Sequence, residues 1–203
     1  MIWVPNIVYR SRRLLARFAQ DKRGLAAVEF AFILPLMLTL IFGTIEVSSA
    51  VAIDRKVTIA ARTISDLVSQ GAQVKDADLK NYFALGAVIM TPYPVTSTTL
   101  TQKISAINID GSKIAKVAWS KIASVTGGVA TVTDDTVATP SGTTVTSQIP
   151  PGLLVANTQL IWSSVTYTYA PIVKYVINST GIPLSDQCFT RPRQSDTVAY
   201  AGS

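Results

Sequence analysis

A long apolar segment flanked by basic residues, within residues 22–56, constrains this chain more than any other feature. The sixteen residues from Phe30 to Ile45 carry no charge, and the wider stretch from Leu25 to Ile53 contains two glutamates, Glu29 and Glu46, before Ile53. A hydrocarbon core of about 30 Å requires roughly 20 apolar residues in a helix. The wider stretch is long enough if both glutamates are accommodated, so it predicts one membrane-spanning helix.

The positive charge of the chain is concentrated before this segment. Residues 1–24 hold six basic residues and one aspartate, a net charge of +5, whereas residues 25–203 hold twelve basic and eleven acidic residues, a net charge of +1. The six basic residues are Arg10, Arg12, Arg13, Arg17, Lys22 and Arg23. Basic residues before a span keep that end in the cytoplasm, so we expect residues after the span to be exported. The nearly neutral remainder does not have the charge of a nucleic-acid-binding domain.

The residue types that most often perform catalysis or bind metals are scarce. The chain has no histidine, which removes the commonest general base and metal ligand, and it has a single cysteine, Cys188. An internal disulfide is therefore excluded; pairing between chains and a buried apolar role both remain open for Cys188. A Ser120–Lys121 dyad would be the remaining nucleophile, but adjacent strand residues face opposite sides. We expect no enzyme activity, cofactor or metal.

A specific motif begins at Gly24. The basic leader ends at this glycine, which is followed by four small or apolar residues from Leu25 and then by Glu29 and Phe30. A flexible glycine allows the backbone to enter a peptidase in an extended form. The pattern resembles the leader of type IV pilin-like proteins, and that resemblance implies cleavage by a prepilin peptidase between Gly24 and Leu25.

The residues that follow are similar to those of one pilin-like family. The string from Ala27 to Ala31, with Leu34-Pro35 and Gly43 to Glu46, resembles the TadE-like family of the tight adherence (Tad) pilus, and weaker matches continue through most of the mature chain. The resemblance implies a minor pilin-like subunit that assembles through its N-terminal helix. It also implies partners: other pilin-like subunits, Tad inner-membrane assembly proteins, the prepilin peptidase and the lipid bilayer.

Three residues of the apolar segment have a physical interpretation of their own. A carboxylate at bilayer depth is costly and needs a partner, so Glu29 is predicted to pair with the new α-amino group of Leu25 in its own or a neighbouring chain; reaching the head groups is the alternative. Pro35 removes a helical hydrogen bond, which predicts a kink or local melting. Glu46 is expected to extend to the far interface or to pair with Arg55.

A secretory signal peptide that ends at Ala50–Ala52 is a competing interpretation. The small residues required for cleavage are present. However, the uncharged run from Phe30 to Ile45 is longer than the usual apolar region of about 7–15 residues, and Pro35 and the two glutamates fit it poorly.

Helical spacing continues beyond the span. Val57, Ala60, Ile64 and Val68 lie on one helical face, and Gly71 is a plausible stop. We therefore divide the chain into a basic cytoplasmic leader (1–24), the membrane helix with its exported extension (25–70) and an exported domain (72–203). A second helix is predicted from an Asp76 cap to Pro92, with one face formed by Leu79, Tyr82, Phe83, Gly86 and Met90.

The rest of the chain is rich in β-branched residues. Residues 99–109 and 113–121, joined at Asp110-Gly111, predict a hairpin, and further strands are predicted at 128–133, 159–169 and 195–200. The fold class is therefore α+β: a long N-terminal transmembrane pilin-like helix followed by a small exported domain with an antiparallel sheet packed on helix. Trp119, Trp162 and Tyr167 are expected in its core.

The Ser/Thr-rich segment 124–147 predicts a loose hairpin or surface loop. An adhesive tip, or calcium binding through Asp134-Asp135, is the alternative for this segment.

Two functional hypotheses remain at this stage. The first is a minor pilin-like subunit in the bacterial inner membrane, single-pass, with its N-terminus in the cytoplasm and its C-terminal domain exported; whether it enters the pilus is open. The second is a membrane-anchored periplasmic or surface binding or adhesion protein without a filament role. N-terminal sequencing of the mature protein discriminates between them, because only the first requires the prepilin cut.

Overall fold

The computed structural model describes residues 23–171 and 181–202, and these residues form an α+β fold. Helix α1 (Arg23–Ser69) is followed by β1 (Gln73–Val74), α2 (Asp76–Ile89), β2 (Leu100–Ile109), β3 (Ala115–Thr126), β4 (Val129–Asp134), β5 (Thr158–Tyr169), β6 (Ile182–Thr190) and β7 (Ala199–Tyr200). Strands β2 to β6 form an antiparallel sheet in the order β4-β3-β2-β5-β6, and β1 pairs with β7 in parallel. The α+β prediction is confirmed.

The chain divides into two compact units, residues 1–45 and residues 46–203. In the first unit the described residues form the N-terminal part of α1. The second unit contains the remainder of α1, α2 and both sheets.

The C-terminal part of α1 is a core helix of the second unit. Its buried apolar residues recur at helical spacing, so one stripe of the helix faces the sheet. They are Ile53, Val57, Ala60, Ala61, Ile64 and Val68, none more than 1% exposed. The predicted stop is confirmed, since α1 ends at Ser69 and the Gly71 N–H bonds to the carbonyl of Val68.

Helix α2 is confirmed, but its predicted cap is wrong. Lys75 occupies the N-cap position, and its backbone N–H donates to the Asp78 carboxylate at 3.1 Å. Asp76 is already the first helical residue, and its carboxylate accepts the Tyr200 hydroxyl at 2.6 Å. The aspartate therefore attaches the C-terminal segment instead of capping the helix.

The strand predictions differ in their outcome. The hairpin at Asp110 and the strands near 129–134 and 158–169 are confirmed. The strand predicted at 195–200 is limited to Ala199–Tyr200, because only these residues pair with β1. Edge strand β6 was not predicted.

A β-bulge in β3 directs side chains of this strand into two separate hydrophobic cores, one on each face of the sheet. Ala106 pairs with Trp119 but Ile107 pairs with Val117, so Ala118 is the extra residue. An extra residue reverses the alternation of side chains along one strand. As a result, Trp119 faces the helices while Val117 faces the opposite side of the sheet.

The second core is covered by the segment between β4 and β5. Val145 and Ile149 of this segment are buried against Ile107, Leu160 and Trp162. The segment is attached to β3 by backbone hydrogen bonds, including Val117 N–H to Thr143 O at 2.9 Å. The segment predicted as a loose hairpin or surface loop is therefore a hairpin at β3–β4 followed by an irregular, largely exposed loop, and the bonds to β3 hold that loop in place.

Candidate functional site

The N-terminal part of α1 is an apolar helix whose side chains lie exposed. Every residue from Gly24 to Ile45 is exposed, including Phe30 (59%) and Phe32 (79%). Among the described residues, α1 is the one helix long and apolar enough to cross a membrane. Such a continuous apolar surface requires lipid or other helices around it. The single-pass membrane anchor predicted from the sequence matches this helix.

The residues proposed for processing and pairing lie at the start of this helix. Helix α1 begins at Arg23, so Gly24, Leu25, Glu29 and Phe30 occupy its first two turns, and Glu29 is exposed. A Cβ atom at Gly24 would meet nothing within 4 Å. The other topogenic residues, Arg10, Arg12, Arg13, Arg17 and Lys22, lie outside the described residues.

The helix continues through Pro35. The hydroxyl of Thr39 donates to the carbonyl of Pro35 at 2.8 Å, and that of Thr44 donates to Leu40 at 2.8 Å. Such bonds to the carbonyl four residues back satisfy a hydroxyl in an apolar environment. The local melting predicted at Pro35 is wrong because the flanking residues remain helical, whereas the kink stays a prediction.

Glu46, the first residue of the second unit, is buried in that unit at 9% exposure. Its carboxylate accepts a hydrogen bond from the hydroxyl of Tyr169, the last residue of β5. Burial and the neighbouring carboxylate raise the pKa of Tyr169 to about 12. Sequence reasoning missed this partner because the two residues are 123 positions apart; the signal in the sequence was only a glutamate in an apolar run.

From Glu46 onward, α1 lies along β5. The Ser163 hydroxyl donates to the Ala61 carbonyl at 2.6 Å, and the Ser65 hydroxyl donates to the Ile161 carbonyl at 3.4 Å. The helix therefore runs opposite to the strand, from the end of the sheet that holds Tyr169 towards the end that holds Ile161.

The structure separates the two residues of the hypothetical dyad. The Ser120 hydroxyl bonds to Ser105 at 2.7 Å and to Thr139 at 3.2 Å. Lys121 points to the other face of the sheet, where its ammonium is 2.8 Å from Asp134 and 3.9 Å from the centre of the Tyr200 ring. The arrangement gives no activated serine nucleophile.

The two acidic residues considered for calcium binding are occupied by protein groups. Asp134 pairs with Lys121. Asp135 accepts the Thr139 hydroxyl at 2.7 Å and the backbone N–H groups of Ala138 and Thr139. Burial favours a higher pKa for Asp135, but these hydrogen bonds outweigh it and hold the pKa below its ordinary value. Within 23–171 and 181–202, no group of three or more potential metal-binding residues is present.

Cys188 lies in a shallow depression of about 460 Å³ on the second unit. The depression is lined by Arg62, Thr63, Asp66, Leu67, Cys188, Thr190 and Arg193. Burial raises the pKa of the Cys188 thiol despite the nearby Arg62 guanidinium, which disfavours the reactive thiolate. Arg193 and Asp66 form an ion pair across the depression. Pairing of Cys188 between chains stays a prediction.

Comparison with known families gives one match, and it falls on this helix. Residues 24–66 match the family model described as TadE-like protein. The match begins at the glycine that ends the basic leader and covers the apolar helix and part of its extension into the second unit. No curated protein and no solved structure matches the chain.

Proposed function

We propose that this chain, whose residues 24–66 match the TadE-like family model, is a minor pilin-like subunit that takes part in biogenesis of a Tad (type IVb) pilus. The observation that supports the proposal best is the coincidence of the family match, at residues 24–66, with a helix whose apolar side chains are all exposed over residues 24–45. A surface of this kind is suited to storage in the bilayer and to packing against other pilin-like helices.

The proposed sequence of events begins with processing. A prepilin peptidase cleaves between Gly24 and Leu25 and removes the basic leader. The helix then holds the subunit in the inner membrane, with residues 46–203 on the exported side, until it packs against other pilin-like subunits through contacts with Tad inner-membrane assembly proteins. The proposal assigns no catalytic step to this chain.

Intact-mass analysis tests the processing step. In cells that contain the prepilin peptidase, the mature protein should lack the 24 residues before Leu25. Gly24→Phe should block cleavage. Because a Cβ atom at this position meets nothing within 4 Å and Gly24 lies outside the second unit, a block would report on the peptidase instead of on folding of that unit. A mature chain that begins at Ile53 would refute the proposal and support a secretory signal peptide.

The orientation has its own test. Alkaline phosphatase is active only after export, so a fusion after Ser203 should be active and a fusion after Arg23 inactive. The reverse pattern would contradict an exported second unit, whatever the outcome of the processing experiment.

A further inference from the structure

The shallow depression beside Cys188 lies entirely within the second unit, between the C-terminal part of α1 and the last residues of β6. Its volume of about 460 Å³ falls within the range of pockets that bind small ligands. Two arginines, Arg62 and Arg193, and one aspartate, Asp66, line it, so the charges of its lining sum to +1. A positive lining favours an anionic group, and the partners of each polar side chain decide which kind.

The carboxylate in the depression is already bonded within the protein. Oδ1 of Asp66 pairs with the guanidinium of Arg193, and Oδ2 accepts the side-chain amide of Gln70 at 2.8 Å. The backbone N–H of Arg193 also donates to the carbonyl of Ser69 at 2.9 Å, which attaches this arginine to the end of α1. Both oxygens of Asp66 are therefore engaged, and within the described part of the chain Asp66 forms no ion pair with Arg62.

Arg62 carries the unmatched positive charge of the depression. It is exposed, and its guanidinium forms no hydrogen bond or ion pair with residues 23–171 and 181–202. The neighbouring Thr63 hydroxyl has no hydrogen-bond partner among the same residues. Burial raises the pKa of the Cys188 thiol, so this group stays neutral beside Arg62 and does not balance its charge. Two donor groups that line the depression are therefore free to bind an acceptor.

These free donors match a carboxylate better than a phosphate. A planar guanidinium can donate two parallel hydrogen bonds to a carboxylate, and the Thr63 hydroxyl can donate a third. A net charge of +1 balances one carboxylate, whereas a phosphate monoester carries about −1.5 to −2 charges at neutral pH. Leu67 adds an apolar surface to the same depression. A carboxylate followed by an apolar side chain is what an acidic peptide segment presents.

We infer that the depression between α1 and β6 binds a carboxylate of an acidic peptide segment in a partner protein. Arg62 pairs with the carboxylate, Thr63 donates a further hydrogen bond, and Leu67 contacts the apolar residue beside the acid. This inference requires neither leader cleavage nor incorporation into a pilus, so it goes beyond the proposed function.

Isothermal titration calorimetry of the full chain in an uncharged detergent tests the inference. The ligand is a blocked pentapeptide with one aspartate between two leucines, and the matched peptide has asparagine in place of the aspartate. The aspartate peptide should bind at least about tenfold more tightly, because hydrogen bonds to an ionised acceptor are stronger than those to a neutral one. It should also slow the alkylation of Cys188, the single cysteine of the chain, by iodoacetamide. This protection locates the peptide in the depression.

Substitutions at two arginines of the same helix assign the charge partner. Arg62→Gln should weaken binding of the aspartate peptide at least about tenfold, and Arg62→Lys should recover part of the loss, because lysine keeps the charge but not the bidentate geometry. Arg55→Gln is the matched control, since Arg55 is also exposed on α1 but does not line the depression. Binding to this variant should be unchanged. Circular dichroism confirms that each variant is folded.

Four results would overturn the inference. Equal affinity for the two peptides, or binding of neither, would show that the depression does not recognise a carboxylate. Equal losses for Arg62→Gln and Arg55→Gln would show that overall charge attracts the peptide. Binding without protection of Cys188 would place the peptide elsewhere. Tighter binding of a phosphoserine peptide, lost in Arg62→Gln, would assign the depression to a phosphate group instead.

Discussion

The indole N–H of Trp119 donates to the backbone carbonyl of Val198 at 2.9 Å, which joins strand β3 to the C-terminal segment 79 residues later. Trp119 is 9% exposed, and its ring lies 6.1 Å from that of Tyr200. The hydroxyl of Tyr200 continues the connection to Asp76 of α2. The Trp119 side chain therefore packs in the helix-facing core and also binds the C-terminal segment.

Replacing Trp119 should destabilise the second unit strongly. Trp119→Ala removes a large buried side chain, a change that typically costs about 3–5 kcal/mol. Trp119→Phe keeps most of the apolar contact but loses the bond to Val198, so it should cost less, with about 1 kcal/mol from the hydrogen bond. Thermal unfolding of the full chain in detergent, followed by circular dichroism, measures both. An unchanged melting temperature for Trp119→Ala would contradict its place in the core.

The burial of Trp119 was predictable from its chemistry, but its hydrogen-bond partner was not. Large aromatic residues in β-rich segments usually pack in a core, and in β5 the buried residues Val165, Tyr167 and Tyr169 alternate with threonines, the pattern of a strand with one buried face. By contrast, the partner carbonyl at Val198 lies in a segment with no apolar periodicity. The contact arises from the tertiary arrangement, for which the local sequence has no signal.

Edge strand β6 was not predicted from the sequence, for a different reason. The sequence of Ile182–Thr190 contains Pro183 early in the strand and Asp186 in the middle. Both residue types are depleted in central strands but are tolerated at an edge, where one side of the strand has no neighbour to bond. The local sequence therefore gave no strand signal here, and the strand forms because β6 pairs with β5.

The start of α1 was the most predictable region. Here a basic leader ends at Gly24 and a long apolar run follows. Such a run can form few structures in a bilayer, because every backbone polar group there must be hydrogen-bonded within the segment. The structure gives one helix there, as expected. The burial of Glu46 against Tyr169 was not expected, since an interfacial glutamate usually reaches water.

Gly86 of α2 should not tolerate a larger residue. A Cβ atom at this position would lie 2.0 Å from Oε1 of Gln102 and 2.9 Å from a methyl group of Ile64. Gln102 is fully buried, and its amide donates to the Phe83 carbonyl at 2.9 Å, so the side chain has little freedom to move. Gly86→Ala should cost about 1–3 kcal/mol from overpacking, reduced by up to about 1 kcal/mol of gained helix propensity.

A matched substitution isolates the steric effect at Gly86. At Gly152 a Cβ atom would meet nothing within 4 Å, so Gly152→Ala should change stability by no more than about 0.5 kcal/mol. Urea unfolding of the two variants, compared with the unsubstituted chain, gives the difference. Equal stability of both variants would show that Gln102 moves aside without loss.

The contact between Tyr169 and Glu46 should make stability depend on alkaline pH. The pKa of Tyr169 is raised from 10.0 to about 12 in the folded chain. The stabilising contribution is therefore complete below pH 10 and is lost as the pH rises from there towards 12, because the unfolded chain releases the proton first. Urea midpoints between pH 9 and 11 should fall for the native chain, and the fall should be smaller for Tyr169→Phe. Parallel pH curves would contradict the contact.

Substitution of Glu29 tests most directly how the N-terminal helix packs against neighbouring subunits. It is the one charged residue between Gly24 and Glu46, and cleavage after Gly24 would create an ammonium group four residues away. An acid at the bilayer centre costs about 2.5–3.5 kcal/mol on insertion scales and less near the interface, where the start of the helix lies. Pairing with the α-amino group of a neighbouring subunit would offset this cost and favour one axial register between helices.

Glu29→Gln keeps the size of the side chain and removes its charge. Because Glu29 is exposed and belongs to the first unit, the second unit should fold normally, and intact mass should show that the leader is still removed. Pili counted by electron microscopy should fall sharply, since neighbouring helices lose the charge pair that sets their register. Glu29→Asp restores the charge with a shorter reach and should recover part of the loss. Normal piliation with Glu29→Gln would mean that the carboxylate is dispensable and that apolar packing alone docks the subunit.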